Sequence, residues 1–454
     1  MTLLVARCQP QVPTTAEYED LKAHFQPIFD EIASGAKDRE LNGQRPVDQI
    51  EQLNAAGFSV LRVPKEYGGP GASVHTFIRL LIDLAAADSN IAHQYRSHYG
   101  FLEALRFADT KRKEYWYREV LQGTTVGNAS TEIGNNALGT LNTQLRPSTP
   151  AVDGEPTNWT IDGEKYYATG SLYSTHTRVS ASLQDAEGNV APGRSFAVVP
   201  VDAEGVELED DWDGFGQKLT ATGTARFRNV SVDSIAVLPR TPGSAEAVHE
   251  AAFFQEVLLA VLAGIARAVR DDAAAGVRVR KRTFNTGLGL PYRQDPLIQE
   301  TVGRIAATAF SVEATTLHAA ATLDRSLDAA VAAGAERPEY DGELPSAMFE
   351  AEIAVEQAQV TVPEETVRVA SELFLTGGAS NTAVKKGLDR HWRNAQTVST
   401  HNPIVFRART IGDYYVNGTL PEGLNAIGDA KTGSSDEASA EGSSATNQDR
   451  VATR

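Results

Sequence analysis

The chain has 454 residues, 41% hydrophobic and 22% charged, a balance that supports packed cores along most of its length. Lysines and arginines number 42 against 59 aspartates and glutamates, and the net charge of −17 gives neither counterion-release affinity for nucleic acid nor attraction to an anionic membrane. The single cysteine, Cys8, excludes an intrachain disulfide framework and a thiolate metal cluster, and suits a reducing compartment.

In chain order, residues 15–125 predict an N-terminal helical domain. Val74, Phe77, Ile78, Leu81, Ile82 and Ala85 fall on one helical stripe, with Ser73 placed to cap it. Pro46 is placed to open an earlier helix carrying Val47, Ile50 and Leu53, with Gly57 just past its end. Composition shifts at 126–240 toward Gly, Thr, Asn, Val and Asp, which predicts a small antiparallel β domain with a hairpin turning at Asp162-Gly163. Residues 245–425 predict a C-terminal four-helix bundle, with helices over 246–284, 296–334, 345–376 and 380–415. Pro363 is expected to kink or interrupt the third. The fold class is therefore α+β, mainly α. A tail at 429–454, rich in Ser, Ala, Gly, Asp and Glu and without aromatics, is expected to be disordered and acidic.

The best apolar run, 257–266, is closed by Arg267 and Arg270. A membrane helix needs roughly 20 residues. No basic segment precedes the short apolar stretch at the N-terminus, so a signal peptide is not expected and a cytoplasmic protein is.

The familiar catalytic and nucleotide motifs are missing: there is no P-loop, no GxGxxG opening a helix, no GxSxG and no HExxH. His93 and His98 stand about 140° apart around a helix and share no face for a metal.

Three ordered groups of segments carry more information. The first is VPKEYGGPGA (63–72) with LAAADSNIAHQYRSH (84–98). The second is GNASTE (127–132), GEKYYATGS (163–171) and DDWDGFGQKLTATGTARFRNV (210–230). The third is GLDRHWRNAQTVSTHNP (387–403) with IGDYYVNGTLP (411–421). Together these segments resemble the acyl-CoA dehydrogenase superfamily and, within it, the flavin-dependent monooxygenase branch that includes the dibenzothiophene monooxygenases and other enzymes of sulfur acquisition.

The resemblance implies a homotetramer with flavin held between the β domain and the helical bundle. It places Asn128, Ser130, Thr169 and Trp212 along the cofactor, Thr169 near the reactive edge of the ring, and Arg282 on the flavin phosphate across a subunit interface. Ser380 stands in a turn where near relatives often carry arginine. The superfamily's dehydrogenases hold a catalytic glutamate where this chain reads STHNP; no carboxylate lies between Asn394 and Ile411. The branch has a histidine there, His401, and His98 matches its second pocket histidine. Read without the resemblance, the small polar residues are turn formers, Trp212 is core, and Tyr95, Tyr99 and Leu102 are helix-packing residues.

The expected activity is insertion of one oxygen atom from O2 into a small organosulfur or amine substrate, through an oxygen adduct at flavin C4a. The cofactor is expected to be FMN, as FMNH2, in preference to FAD. A separate NAD(P)H-dependent flavin reductase would supply it by diffusion, because the chain has no nicotinamide motif. His401, Thr169 and His98 are the catalytic candidates. The alternative is an FAD-dependent acyl-CoA dehydrogenase with its base elsewhere.

Overall fold

The computed structural model describes residues 5–133, 141–148, 158–185, 187–191 and 193–421. The tail expected from 429 onward lies outside them.

Five helices open the chain: α1 (Tyr18–Asn42), α2 (Val47–Ala55), α3 (Val74–Ala87), α4 (Ser89–Leu105) and α5 (Thr110–Leu121). The stripe read in the sequence is the buried face of α3, and the Ser73 hydroxyl accepts the Thr76 N–H at 3.0 Å, satisfying one of the helix's free donors. Each large apolar side chain on that face contributes about 1.5–3 kcal/mol on burial. Helix α4 is buried along nearly its whole length. It starts at Asp88, which caps Asn90 and is paired with Arg39 at 2.9 Å. Tyr95 and Tyr99 are core residues, the first donating to Asn54 at 2.8 Å and the second to the Phe58 carbonyl.

The middle of the chain forms a curled sheet of β1 (Val126–Ala129), β2 (Gln144–Pro147), β3 (Asn158–Lys165), β4 (His176–Leu183), β5 (Ser195–Pro200), β6 (Val206–Leu208), β7 (Ala225–Asp233) and β8 (Val237–Leu238). The order is β6-β7-β3-β2-β4-β5-β8, with β1 beside β4. Two pairings, β1 with β4 and β2 with β4, are parallel, so the sheet is mixed where an antiparallel one was expected.

The expected hairpin at Asp162-Gly163 does not form. Strand β3 runs through both residues and pairs with β7, with a bulge between Ile161 and Gly163. Alternation on both sides of Asp-Gly reads the same for one long strand as for two short ones, and the partner lies far downstream. Gly163 is required for another reason: a Cβ there would stand 2.6 Å from the Cα of Thr143.

The C-terminal part holds three long helices, α6 (Ala245–Val279), α7 (Pro296–Ala333) and α8 (Ser346–Glu372), then α9 (Asp389–Ser399) and α10 (Ile404–Asn417). The segment expected as one helix over 380–415 is divided: short 3₁₀ turns run to Lys386, and Pro403 caps the start of α10. Pro363 lies inside α8 without interrupting it. Helix α6 is long and apolar enough to cross a bilayer, but 83% of its most apolar window is buried inside the protein. It packs against α3, α4, α7, α8 and α9, as a central core helix does. Helix α10 has no buried residue.

Candidate active site

Four of the candidate residues gather on one edge of the sheet. Asn128 on β1 donates its N–H to the Thr169 carbonyl at 3.2 Å, and Ser130 donates to Asn128 Oδ1 at 2.8 Å. Thr169 Oγ1 lies 2.9 Å from Thr222 Oγ1, which lies 2.8 Å from Thr220 Oγ1, forming a chain of hydroxyls. Gly170, at φ 77°, lets the chain turn here against Gln94 of α4; a Cβ would approach the Gln94 carbonyl to 2.9 Å.

Tyr167 sits at φ 58°, a conformation that costs a non-glycine residue of order 1 kcal/mol. The turn leaves its ring 50% exposed and edge-on to Trp212, with centroids 5.8 Å apart. Trp212 Nε1 donates to the Gly216 carbonyl at 3.0 Å, which fixes the indole. A flat heteroaromatic ring needs hydroxyl and amide partners on one edge and aromatic walls beside it. The donors Thr169, Ser130 and Asn128, with Trp212 and Tyr167 next to them, have the chemistry to hold a flavin.

A buried polar knot joins this edge to the helices. Gln217 N–H donates to Asn394 Oδ1 of α9 at 2.7 Å, its side-chain oxygen lies 3.2 Å from His93 Nδ1, and its amide donates to Ser89 at 3.2 Å. Leu219 N–H donates to Asn90 at 3.1 Å. The knot ties the 210–224 loop to α4 and α9, so the β edge and the bundle are held in one register.

His401 lies just beyond α9, at a small cleft of about 20 Å³ open to solvent. It is lined by the apolar Leu258, Leu259, Leu262, Pro363, Val398 and Ile404 and by the polar Gln255, Gln359, Asn402 and Arg407. Positions 255, 258, 259 and 262 share one face of α6 by helical spacing. Burial pulls the His401 imidazole well below 6.5, and Arg96 and His93 on α4 push the same way. The side chain is exposed at the cleft, so desolvation acts only in part; the two α4 groups give the same sign without it. His401 is neutral at pH 7. His93, fully enclosed, is drawn down to about 4 by burial and by Arg96. Arg407 is paired with Glu356 at 2.6 Å, so the cleft carries little net charge.

His98 has a different place. It is 2% exposed, its Nε2 lies 2.7 Å from the Ser59 carbonyl, and its Nδ1 accepts the Val126 N–H at 3.2 Å. With both nitrogens committed to backbone, the ring is a cross-link and has no nitrogen to offer a substrate. Burial lowers it to about 4.

The remaining candidates, Ser380 and Arg282, lie elsewhere and are not in contact. Arg280 donates to the Gly377 carbonyl at 2.5 Å and to Ser380 at 3.0 Å, and lies over the Phe284 and Tyr292 rings. Arg280 thus partners Ser380, while Arg282, the sequence candidate, is exposed. Sequence reasoning missed Gln217, Asn394, Gln255 and Arg96, which come from three or more separate segments and form no local pattern.

Three family models match the chain: the N-terminal domain of acyl-CoA dehydrogenase over residues 15–124, its middle domain over 129–230 and its C-terminal domain over 257–406. A dibenzothiophene monooxygenase of Rhodococcus erythropolis is 27% identical over 418 residues, covering 90% of this chain and 96% of that protein. A protein of Pseudomonas putida named as a probable FMNH2-dependent monooxygenase, SfnC, is 26% identical over 417 residues, covering 91% and 97%. The crystal structure of FMN-bound TdsC from Paenibacillus sp. A11-2 has the same fold, with a TM-score of 0.77 at 24% identity over 88% of this chain and 98% of that one. Helices, sheet and helices in this order, with matches running across all three parts, place the chain in the acyl-CoA dehydrogenase family.

Proposed function

We propose that the chain is a reduced-flavin-dependent monooxygenase that transfers one oxygen atom from O2 to a small organosulfur substrate, with FMNH2 delivered by a separate reductase. The observation that carries this reading is the cleft at His401. Among the described residues no carboxylate lines it, and a neutral imidazole stands there instead. A dehydrogenase needs a base strong enough to take a carbon-bound proton beside the flavin. Glu256, on the same helix, does not line the cleft; it is fully buried, and burial holds its carboxyl well above 4.5. The full-length matches to proteins named as dibenzothiophene and FMNH2-dependent monooxygenases support the same class.

Bound reduced flavin would supply the activation of oxygen. The chain's residues do the rest. Thr169, Asn128 and Ser130 hold the polar edge of the ring, and Trp212 with Tyr167 walls it. Leu258, Leu259, Leu262 and Val398 give the cleft an apolar surface, and a substrate seated on it would exclude water, which limits wasteful release of peroxide. His401 accepts or returns a proton at one ring nitrogen. His98 positions α4 against the sheet and touches no reactant. The Arg407–Glu356 pair and the three amides favour an uncharged substrate with a polar end, such as a sulfide, sulfoxide or sulfone, over a free anion.

Two features support assembly into a homotetramer. Helix α10 buries nothing and exposes Val405, Phe406, Tyr415 and Val416, each by more than 60%. Arg282 is exposed, as a side chain reaching into a neighbour's site would be in an isolated subunit.

The test is oxygen uptake with reduced FMN across a panel of sulfides, sulfones and amines, with product and peroxide measured together. Substrate-dependent oxygenated product supports the reading. Bleaching of bound FAD by an acyl-CoA without oxygen would replace it.

A further inference from the structure

We infer that Thr169 offers a bound flavin lone pairs and no hydrogen, because a row of three hydroxyls ending on the Gln217 carbonyl turns its proton inward, and that the site thereby selects reduced over oxidised FMN. The inference rests on the functional reading above and adds how the site tells the two forms of its cofactor apart.

Three hydrogen bonds join four groups. Thr220 Oγ1 donates to the Gln217 carbonyl at 3.0 Å and lies 2.8 Å from Thr222 Oγ1, which lies 2.9 Å from Thr169 Oγ1. A hydroxyl has one hydrogen to give, and a carbonyl has none. The Thr220 hydrogen is spent on Gln217, so Thr222 must donate to Thr220 and Thr169 must donate to Thr222. Three hydrogens fill three bonds, and no other assignment makes all of them.

The carbonyl end sets the direction. Gln217 is 2% exposed and Thr220 1%, and among the described residues no other group donates to the Gln217 carbonyl. Reversing the row would strand that buried acceptor. The Gln217 peptide is itself fixed, since its N–H donates to Asn394 Oδ1 at 2.7 Å and its side chain to Ser89 at 3.2 Å. At the far end the Thr169 carbonyl accepts the Asn128 N–H and the Ser97 hydroxyl, both at 3.2 Å. The second acceptor near the Thr169 hydroxyl, the Tyr167 carbonyl at 3.4 Å, already takes the Thr169 N–H at 2.7 Å and also belongs to the protein. Either way the hydrogen stays inside, and the half-buried Thr169 oxygen keeps only lone pairs for a ligand.

Reduced flavin carries a hydrogen on N5, at the reactive edge of its ring, and oxidised flavin has a bare nitrogen there. With Thr169 at that edge, its oxygen accepts from the reduced ring and meets the oxidised ring acceptor to acceptor. The row therefore favours the form a reductase delivers and disfavours the form left after turnover, which clears the site for the next reduced ring.

The test is the ratio of dissociation constants for oxidised and reduced FMN, measured on the full chain by calorimetric titration, the reduced form without oxygen. Wild type is expected to hold reduced FMN at least about tenfold more tightly. Thr222→Val keeps the shape of the side chain, breaks the row and frees the Thr169 hydrogen to turn outward. It is expected to lower the ratio about tenfold through tighter binding of oxidised FMN, with reduced FMN within about twofold of wild type. Thr222→Ser retains the hydroxyl and is expected to retain the wild-type ratio. An unchanged ratio in Thr222→Val, or equal weakening of both forms, overturns the inference. If Thr222→Val does not fold, Thr220→Val, which cuts the row one step nearer the carbonyl, decides by the same ratio. The titration needs neither substrate nor turnover. A wild-type chain that binds FMN without preferring the reduced form strikes this inference and spares the functional reading; one that binds neither form strikes both.

Discussion

His98 Nδ1 accepts the Val126 N–H at 3.2 Å, so the first strand of the sheet hangs from the middle of α4. The other ring nitrogen holds the Ser59 carbonyl at 2.7 Å. His98→Ala leaves both backbone groups buried and unpaired beside a cavity, and should cost about 3 kcal/mol of stability in urea unfolding. Activity per folded molecule should stay near wild type. A variant that is stable and inactive would return His98 to the reacting centre.

Acid should destabilise the protein from pH 6.5 downward. His93 and His98 titrate near 4 when folded, against about 6.5 unfolded. Between those values the unfolded chain binds more protons, so stability falls as pH drops, by up to about 1.4 kcal/mol per unit for each. Glu246 opposes one of them. Burial, helped by Glu250 against Arg240 and Arg178, raises it to about 7, so its folded form keeps a proton that the unfolded form loses above 4.5. His75, His176, His391 and His401 are lowered as well, and Glu256 and Glu356 are raised beside Glu246, so six histidines act against three carboxyls and the net slope keeps the histidines' sign. Urea midpoints at pH 7 and pH 5 check this; a midpoint that is flat or higher at pH 5 contradicts it.

The two neighbouring arginines should separate. Arg280 ties the 377–382 turn through Gly377 and Ser380, so Arg280→Ala should lower the melting temperature by several degrees, about 1–2 kcal/mol. Arg282 is exposed, and Arg282→Ala should leave melting unchanged while weakening FMN binding about tenfold, the loss of one charge-assisted contact. Differential scanning calorimetry and anaerobic FMN titration distinguish the pair.

If α10 is the contact between copies, Phe406→Asp should reduce assembly. Its ring is 63% exposed in the single chain, and a carboxylate placed in an apolar interface costs several kcal/mol. Sedimentation velocity should show wild type as a tetramer and the variant as smaller species. A variant that sediments as wild type places the contact elsewhere.

Much of this was legible in the residues. The α3 stripe and its Ser73 cap were visible because helical neighbours lie three and four apart in sequence. Asn128, Ser130, Thr169 and Trp212, picked by resemblance, fall on one edge of the sheet. The parallel pairing of β1 with β4 was hidden, because about 50 residues separate the partners and nothing local marks the ladder. The Asp162-Gly163 turn failed for the same reason: β7 decided it. His98 matched a motif, yet its two backbone partners come from 39 residues before it and 28 after, a relation no spacing rule reports. Gln255 carried no signal until α6 was set against α9 and α10.

The most direct test of the central claim is product and peroxide yield in His401→Ala with reduced FMN, O2 and an oxidisable sulfide. Wild type should turn most of the oxygen into product. The variant, with an unchanged melting temperature, should make at least about tenfold less product and release the difference as peroxide. Equal product yields in the two proteins would contradict the account.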